Sequence, residues 1–173
     1  MTARSTVVLA LGSNLGDRLA NLQAAVDALG AGPGFDDVAV SPVYETAPVG
    51  GPSQPDYLNA VLVAATSLPP RAVLDRGRAA EAALGRVRGP RWGPRTIDVD
   101  VIAYGNEISA DPELTLPHPR AHERAFVLAP WHDVDPGAAI PGRGPVADLL
   151  AALPAGGIRR CRDVKLRLPG NTA

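Results

Sequence analysis

Tyr57-Leu58-Asn59-Ala60-Val61-Leu62-Val63-Ala64-Ala65 contains the longest unbroken apolar run in the chain, the six residues from Ala60 to Ala65. It is bounded by Pro55 and by Ser67-Leu68-Pro69-Pro70, is too short for a helix, and is read as a buried strand. Upstream, Thr6 to Leu11 is a second run of this kind. Leu15, Leu19, Leu22, Val26 and Leu29 follow at spacings of 4, 3, 4 and 3, one face of a helix with Ser13 or Asn14 as its expected N-cap and Gly30 near its end. Gly32-Pro33-Gly34 is a turn, Val38 to Tyr44 reads as a strand, and Thr46 to Pro55 is broken by Pro and Gly-Gly into a loop. Downstream, Ser67 to Pro70 opens a helix with Val73, Gly77, Ala80 and Leu84 on one side and Gly85 beyond its end. Arg86 to Pro94 is a loop, and Thr96 to Tyr104 is a strand interrupted by acids. The order β-α-β-β-α-β is the ferredoxin-like signature, an α+β arrangement. A hairpin is expected around Glu107 to Leu116 and short helices over Ala121 to Leu128 and Val146 to Leu153. The alternating tail Val164-Lys165-Leu166-Arg167-Leu168 reads as a charged edge strand.

The 173 residues suffice for one domain, 1–173, with a buried core. No apolar stretch approaches the ~20 residues of a membrane helix, and Val7 to Leu11 is too short for a signal-peptide core. The single cysteine, Cys161, excludes an internal disulfide and favours a reducing, cytoplasmic setting. A net charge of −1 argues against bulk nucleic-acid binding. Of 17 basic residues 16 are Arg, and seven of these lie between Arg71 and Arg95 against Asp75 and Glu81. Planar guanidinium forks match phosphate oxygens, although such a cluster can equally be a solvated face.

The sharpest anomaly is Thr96-Ile97-Asp98-Val99-Asp100-Val101-Ile102. In a strand, residues i and i+2 share a face about 7 Å apart, so Asp98 and Asp100 point the same way. Adjacent carboxylates on a half-buried sheet call for a cation, and oxygen ligands that also engage substrate phosphates suit Mg²⁺. The alternative is a polar face with both Asp paired to Arg. No P-loop motif is present, and Gly12-Ser13-Asn14-Leu15-Gly16 is better read as a tight strand-to-helix turn than as a phosphate loop. His118 and His122 are separated by Pro119, without an H-E-x-x-H motif or a cysteine pair, and do not suggest zinc. Glu81, three residues from Arg78, reads by itself as a surface ion pair.

Leu11-Gly12-Ser13-Asn14-Leu15-Gly16, Tyr44-Glu45-Thr46-Ala47-Pro48, Gln54-Pro55-Asp56-Tyr57-Leu58-Asn59-Ala60, Gly85-Arg86-Val87-Arg88, Arg91-Trp92-Gly93-Pro94-Arg95-Thr96-Ile97-Asp98-Val99-Asp100 and Leu116-Pro117-His118-Pro119-Arg120 occur in the order of one family. Over roughly residues 5–153 the chain resembles the 6-hydroxymethyl-7,8-dihydropterin pyrophosphokinases of folate biosynthesis; the basic tail 154–173 lies outside the match. The resemblance implies a three-layer α/β/α sandwich on the ferredoxin-like core, with a mostly antiparallel sheet. It implies transfer of the β,γ-diphosphate of ATP to the pterin hydroxymethyl group with release of AMP, by a monomer that needs no nucleic-acid or membrane partner. Asp98 and Asp100 correspond to the ligands of two Mg²⁺ ions that bind with ATP. Thr46, Val49, Tyr57, Asn59, Trp92 and Phe126 correspond to the pterin site. Glu81, Arg86, Arg88, Arg95, Val101, His118 and Arg124 correspond to the ATP site, with Arg86 and Arg95 also catalytic. The Arg86 to Pro94 loop is expected to close over both substrates.

The sequence departs from some relatives at Arg78, where they carry Gln, and at Pro119, where they carry Tyr, which affects adenine recognition. Two rival readings use the same features. A nucleotidyltransferase also uses paired Asp and two metals but transfers AMP. A ferredoxin-like RNA-binding module displays aromatics on its sheet, whereas here the strand displays acids and aromatics are 4% of the chain.

Overall fold

The computed structural model describes residues 3–48, 53–85 and 96–169. In chain order the elements are β1 (Ser5–Ser13), α1 (Arg18–Gly30), β2 (Phe35–Val40), β3 (Tyr44–Thr46), β4 (Tyr57–Thr66), α2 (Pro70–Ala83), β5 (Asp98–Tyr104), β6 (Ser109–Asp111), β7 (Leu114–Leu116), a 3₁₀ turn (Ala121–Glu123), α3 (Ala125–Val134), β8 (Ala139–Ile140), β9 (Gly144–Pro145), α4 (Val146–Ala151) and β10 (Ile158–Arg160). The main sheet runs β10-β3-β4-β1-β5, with β2 also paired to β4, and every neighbour is antiparallel.

Alternation along the strands builds two cores. Val7, Leu9 and Leu11 of β1, Leu58, Ala60 and Leu62 of β4, and Val99 and Val101 of β5 pack with Leu22, Val26 and Leu29 of α1 and Val73 and Ala80 of α2. Val8, Val61 and Ile102 face the other way, against Val127, Leu128 and Trp131 of α3 and Val146 of α4. Helix pairs therefore cover both faces of the sheet, in the expected three layers. The pairing of β1 with β5 shifts between Val8 and Leu9, so that Ile102 is an extra residue and Ile102 and Ala103 both face the second core. α2 matches its sequence reading, with Val73, Gly77 and Ala80 buried and Gly85 in the left-handed region past its end. Among the described residues no helix is long and apolar enough to cross a membrane.

Four local expectations need correction. α1 starts later than predicted: Asp17, not Ser13 or Asn14, caps it by accepting from the Ala20 N–H at 3.0 Å, and Leu15 remains 39% exposed. The strand expected over Val38 to Tyr44 is two strands, because Pro42 has no N–H to give the ladder. Ser41 carries the pairing past the break, donating its N–H to the Val61 carbonyl and accepting the Val61 N–H on Oγ. The helix expected over Ala121 to Leu128 is a 3₁₀ turn followed by α3, which continues to Val134. Residues 164–168 are not a strand. Leu166 is buried against α1, and the Gln23 side-chain amide pairs with the Arg167 main chain, donating to its carbonyl at 3.1 Å and accepting its N–H at 2.8 Å. The sheet edge is instead Ile158 to Arg160.

Candidate active site

The register of the central strands places a row of residues across one end of the sheet. Asn59 of β4 lies opposite Gly12 of β1, and Gly12 lies opposite Asp98 of β5. One step along β1, Ala10 lies between Val61 and Asp100. Tyr44 and Thr46 of β3 flank Asn59 and Tyr57. All of these side chains belong to the face covered by α3, since residues paired directly across a sheet share a face. The side chains on both sides of β1 are larger than its own Gly12 and Ala10, which leave the middle open.

The result is a cavity of about 130 Å³ lined by Ala10, Leu11, Gly12, Thr46, Ala47, Tyr57, Asn59, Asp98, Asp100, Arg124 and Phe126. A methyl group on Gly12 would come within 3.3 Å of Asn59 Oδ1 and 3.4 Å of the Tyr57 ring. Asn59 is buried and donates through Nδ2 to Thr46 Oγ1 at 2.9 Å, which fixes its amide with Oδ1 over Gly12. Thr46 is also buried, and its hydroxyl hydrogen is directed away from Asn59. Tyr44, beneath this wall, donates to the Asp133 carboxylate of α3, and burial together with that acceptor pushes its phenol up to about 12.

The acidic end is framed by cations. The Arg124 guanidinium stacks on the Phe126 ring, 5.6 Å from its centroid. Burial pulls Arg124 below its ordinary value, and Asp100 is the strongest influence holding its charge. His118 is pushed down to about 4 by burial, then by Arg124 and Arg120, so it is neutral at pH 7. Its Nδ1 accepts the Arg120 N–H at 3.2 Å, which leaves the proton on Nε2. Its own N–H donates to the Ile102 carbonyl at 2.8 Å, fastening it to the end of β5. Two carboxylates on one face of β5 beside a cavity fit an Mg²⁺ ion that completes its shell with water and phosphate oxygens. Among the described residues no cluster of three or more His, Cys, Asp or Glu forms an all-protein metal cage.

The structure thus brings Thr46, Tyr57, Asn59, Phe126, Asp98, Asp100 and Arg124 together around one cavity. Glu81 is not the surface ion pair its spacing suggested. It is buried on α2 and accepts the Val99 N–H at 3.0 Å, while Arg78 reaches out to Glu113. The Val101 side chain is buried on the opposite face, and only its main chain lies along the outer edge of β5. Val49, Arg86, Arg88, Trp92 and Arg95, with the expected closing loop, lie outside the described residues. Sequence reading missed Ala10 and Gly12 as the cavity floor: Gly12 lies inside β1 rather than in a turn, and its smallness is the signal. Asn14 is not a cap but donates to Gln54 Oε1 at 2.8 Å and the Pro55 carbonyl at 3.0 Å, tying the β1–α1 turn to the approach to β4.

Residues 8–136 match the family described as 7,8-dihydro-6-hydroxymethylpterin-pyrophosphokinase (HPPK). The chain belongs to this family. It is similar to the 2-amino-4-hydroxy-6-hydroxymethyldihydropteridine pyrophosphokinase of Mycobacterium tuberculosis, at 50% identity over 160 residues, covering 85% of this chain and 83% of the relative. The enzyme of the same name from Methylorubrum extorquens is 47% identical over 152 residues, covering 88% and 96%. Among solved structures, an HPPK-DHPS in complex with substrates superposes with a TM-score of 0.68 at 12% identity, and wild-type Plasmodium falciparum HPPK-DHPS with a TM-score of 0.66 at 13%. Each covers 87% of this chain, which spans only 43% and 44% of those longer chains. The HPPK fold is shared even where sequence identity has largely gone.

Proposed function

We propose that this chain transfers the β,γ-diphosphate of ATP to the hydroxymethyl group of 6-hydroxymethyl-7,8-dihydropterin, forming the pterin methyl diphosphate and AMP in the cytoplasm, and that residues 1–173 act as one monomeric pyrophosphokinase unit. The observation that carries the reading is the row Asn59–Gly12–Asp98 on three adjacent strands. Two strand spacings, about 10 Å, separate a polar, aromatic-walled end from an acidic end. That suits a flat heterocycle whose hydroxymethyl arm must reach a metal-bound triphosphate.

At the polar end, Asn59 Oδ1 and the Thr46 hydroxyl satisfy the donor and acceptor edge of the pterin, and Tyr57 and Phe126 supply apolar and π surface for its faces. Gly12 lets the ring lie close to the sheet. At the acidic end Asp98 and Asp100 would hold two Mg²⁺ ions, which when bound offset charge developing on the phosphoryl oxygens. Arg124 lies beside both carboxylates and offers its guanidinium to the triphosphate. His118, neutral with its proton on Nε2, serves as a hydrogen-bond donor to the nucleotide. Val101 faces its main chain out from the edge strand, a position from which it can pair with an adenine edge. Arg86, Arg88, Arg95, Val49 and Trp92 complete the set on the strength of the family resemblance. Catalysis on such a site is mainly positioning and electrostatics.

The test is incubation with ATP, Mg²⁺ and 6-hydroxymethyl-7,8-dihydropterin. AMP should accumulate in step with the pterin diphosphate and only when Mg²⁺ is present. Release of pyrophosphate with adenylylated pterin would establish the nucleotidyltransferase reading instead, and ADP would point to single-phosphoryl transfer.

A further inference from the structure

β3 is three residues long, yet it carries Thr46 on the cavity face and Glu45 on the reverse face toward α1. Glu45 Oε2 accepts from Arg18 Nη1 at 2.7 Å, and the same nitrogen donates to the Asp56 carbonyl at 2.9 Å. Asp56 immediately precedes Tyr57. One guanidinium on the first residue of α1 therefore ties together the two ends of the segment between β3 and β4, just behind Thr46 and Tyr57. The other Glu45 oxygen, Oε1, accepts from Arg159 Nη2 at 2.7 Å, and Arg159 stands directly opposite Glu45 in β10. β10 lies beyond residues 8–136, the part of the chain that matches the family.

We propose that Arg18, Glu45 and Arg159 form a positioning cluster that sets the pterin wall from behind the sheet, and that β10 thereby contributes to substrate affinity without touching the substrate. This rests on the assignment of Thr46, Tyr57 and Asn59 to the pterin site. Three features support it. The cluster bonds both oxygens of one carboxylate to two different elements, which fixes the strand in register as well as in distance. The two Arg hold Glu45 below the usual carboxylate range, Arg159 most strongly, so the cluster is charged throughout the neutral range. The side chains of Glu45, Arg18 and Arg159 are 22%, 31% and 67% exposed, and ion pairs open to solvent add little to global stability. What such a cluster can do is hold geometry, and sub-ångström placement of a polar wall is what a hydrogen-bonding pocket needs.

The experiment uses the full chain with Glu45→Gln, Arg18→Gln, Arg159→Gln, Arg159→Lys and the Glu45→Gln/Arg159→Gln double variant. Pterin affinity is titrated with 6-hydroxymethyl-7,8-dihydropterin in saturating Mg²⁺ and a non-hydrolysable ATP analogue, and analogue affinity is titrated alone. Glu45→Gln and Arg18→Gln should each raise the pterin Kd about tenfold, and Arg159→Gln about threefold, with Arg159→Lys recovering most of the loss. The double variant should be no worse than Glu45→Gln, since the two residues act as one unit. KM for the pterin should rise with kcat nearly constant, and nucleotide Kd and thermal midpoint should stay close to wild type. Asn59→Ala is the control for the pocket itself. If it weakens the pterin while the cluster variants leave it unchanged, the cluster proposal is overturned and the pocket assignment stands. If Asn59→Ala also has no effect, the pocket assignment fails and the proposal falls with it. Equal loss of both ligands with a lower thermal midpoint would make the cluster a brace for the fold and overturn the positioning role.

Discussion

The main-chain N–H of Val99 donates to the buried carboxylate of Glu81 at 3.0 Å. Val99 stands between Asp98 and Asp100 on the outermost strand of the sheet, whose outer edge has no strand beside it among the described residues. Glu81 thus takes the place of a neighbouring strand exactly where the two acids must be held still.

Removing this acceptor leaves a buried N–H unsatisfied. Glu81→Ala should cost about 1–3 kcal/mol of stability in urea denaturation and lower kcat. Glu81→Gln keeps an acceptor oxygen and should restore most of both. A Glu81→Ala protein with unchanged stability would show that the edge of β5 holds itself.

Asp98→Asn and Asp100→Asn should each reduce turnover by about a hundredfold or more while circular dichroism and thermal midpoint stay near wild type, because each removes a proposed metal ligand and preserves shape. Raising Mg²⁺ should recover part of the loss. Unfolding of either variant in metal-free buffer would instead identify the pair as structural partners of Arg124.

Asn59→Ala and Gly12→Ala act on the same few cubic ångströms from opposite sides. The first removes the fixed amide, and the pterin Kd should rise about 5- to 100-fold with little change for an ATP analogue. The second inserts a methyl 3.3 Å from Asn59 Oδ1 and 3.4 Å from the Tyr57 ring in a backbone conformation that alanine accepts. It should weaken pterin binding about tenfold with stability almost unchanged. Calorimetric titration of each ligand separately distinguishes both from a general loss of fold.

His118 should titrate near pH 4 in the free protein, against an ordinary 6.5, because burial and then Arg124 and Arg120 oppose its charge. The unfolded chain binds that proton more readily, so the stabilising effect is complete above about pH 6.5 and is lost as the pH falls toward 4. The full effect is bounded by about 3.4 kcal/mol and is reduced by solvent screening, because His118 is only partly buried. His118→Gln should flatten stability over that window. On the proposed site, MgATP brings negative charge beside Arg124 and should move the imidazole titration upward; nitrogen chemical shifts followed against pH would record both.

Much of this was legible in the residues. The alternation of Asp98 and Asp100 with Ile97, Val99 and Val101 announced a strand with one acidic and one apolar face, and the 3.6-residue spacing from Leu19 to Leu29 announced the helix behind it. Boundaries set by single hydrogen bonds were not legible. Asp17 outcompeted Asn14 as a cap because Asn14 is engaged by Gln54 and Pro55, residues forty positions away that no local pattern reveals. The tail alternates like a strand, but Gln23 offers its main chain a ready-made pair of hydrogen bonds on a helix. For the site, residue types pointed to the acids, and the family resemblance pointed to Asn59. The value of Gly12 and Ala10 as empty floor, and of Glu81 as a substitute strand edge, depends on which strands become neighbours, and that is a property of the sheet rather than of any segment.

The order β10-β3-β4-β1-β5 also has a temporal meaning. Of the sheet strands β1 leaves the ribosome first, yet both its neighbours, β4 and β5, are made later, and the outer neighbour of β3 comes only with Ile158. At roughly 5–20 residues per second, on the order of ten seconds pass between the emergence of Ser13 and that of β10. Until Thr66 has been made this highly apolar strand has both edges unpaired, and until Tyr104 it still has one, the state most open to capture by other nascent chains. The acidic pair of β5 cannot join Gly12 and Asn59 until Asp100 has been made, and on the reading proposed above the wall at Thr46 and Tyr57 is not set until Arg160 has. α1, made directly after β1, can cover one face of that strand in the meantime, while its edges wait for β4 and β5.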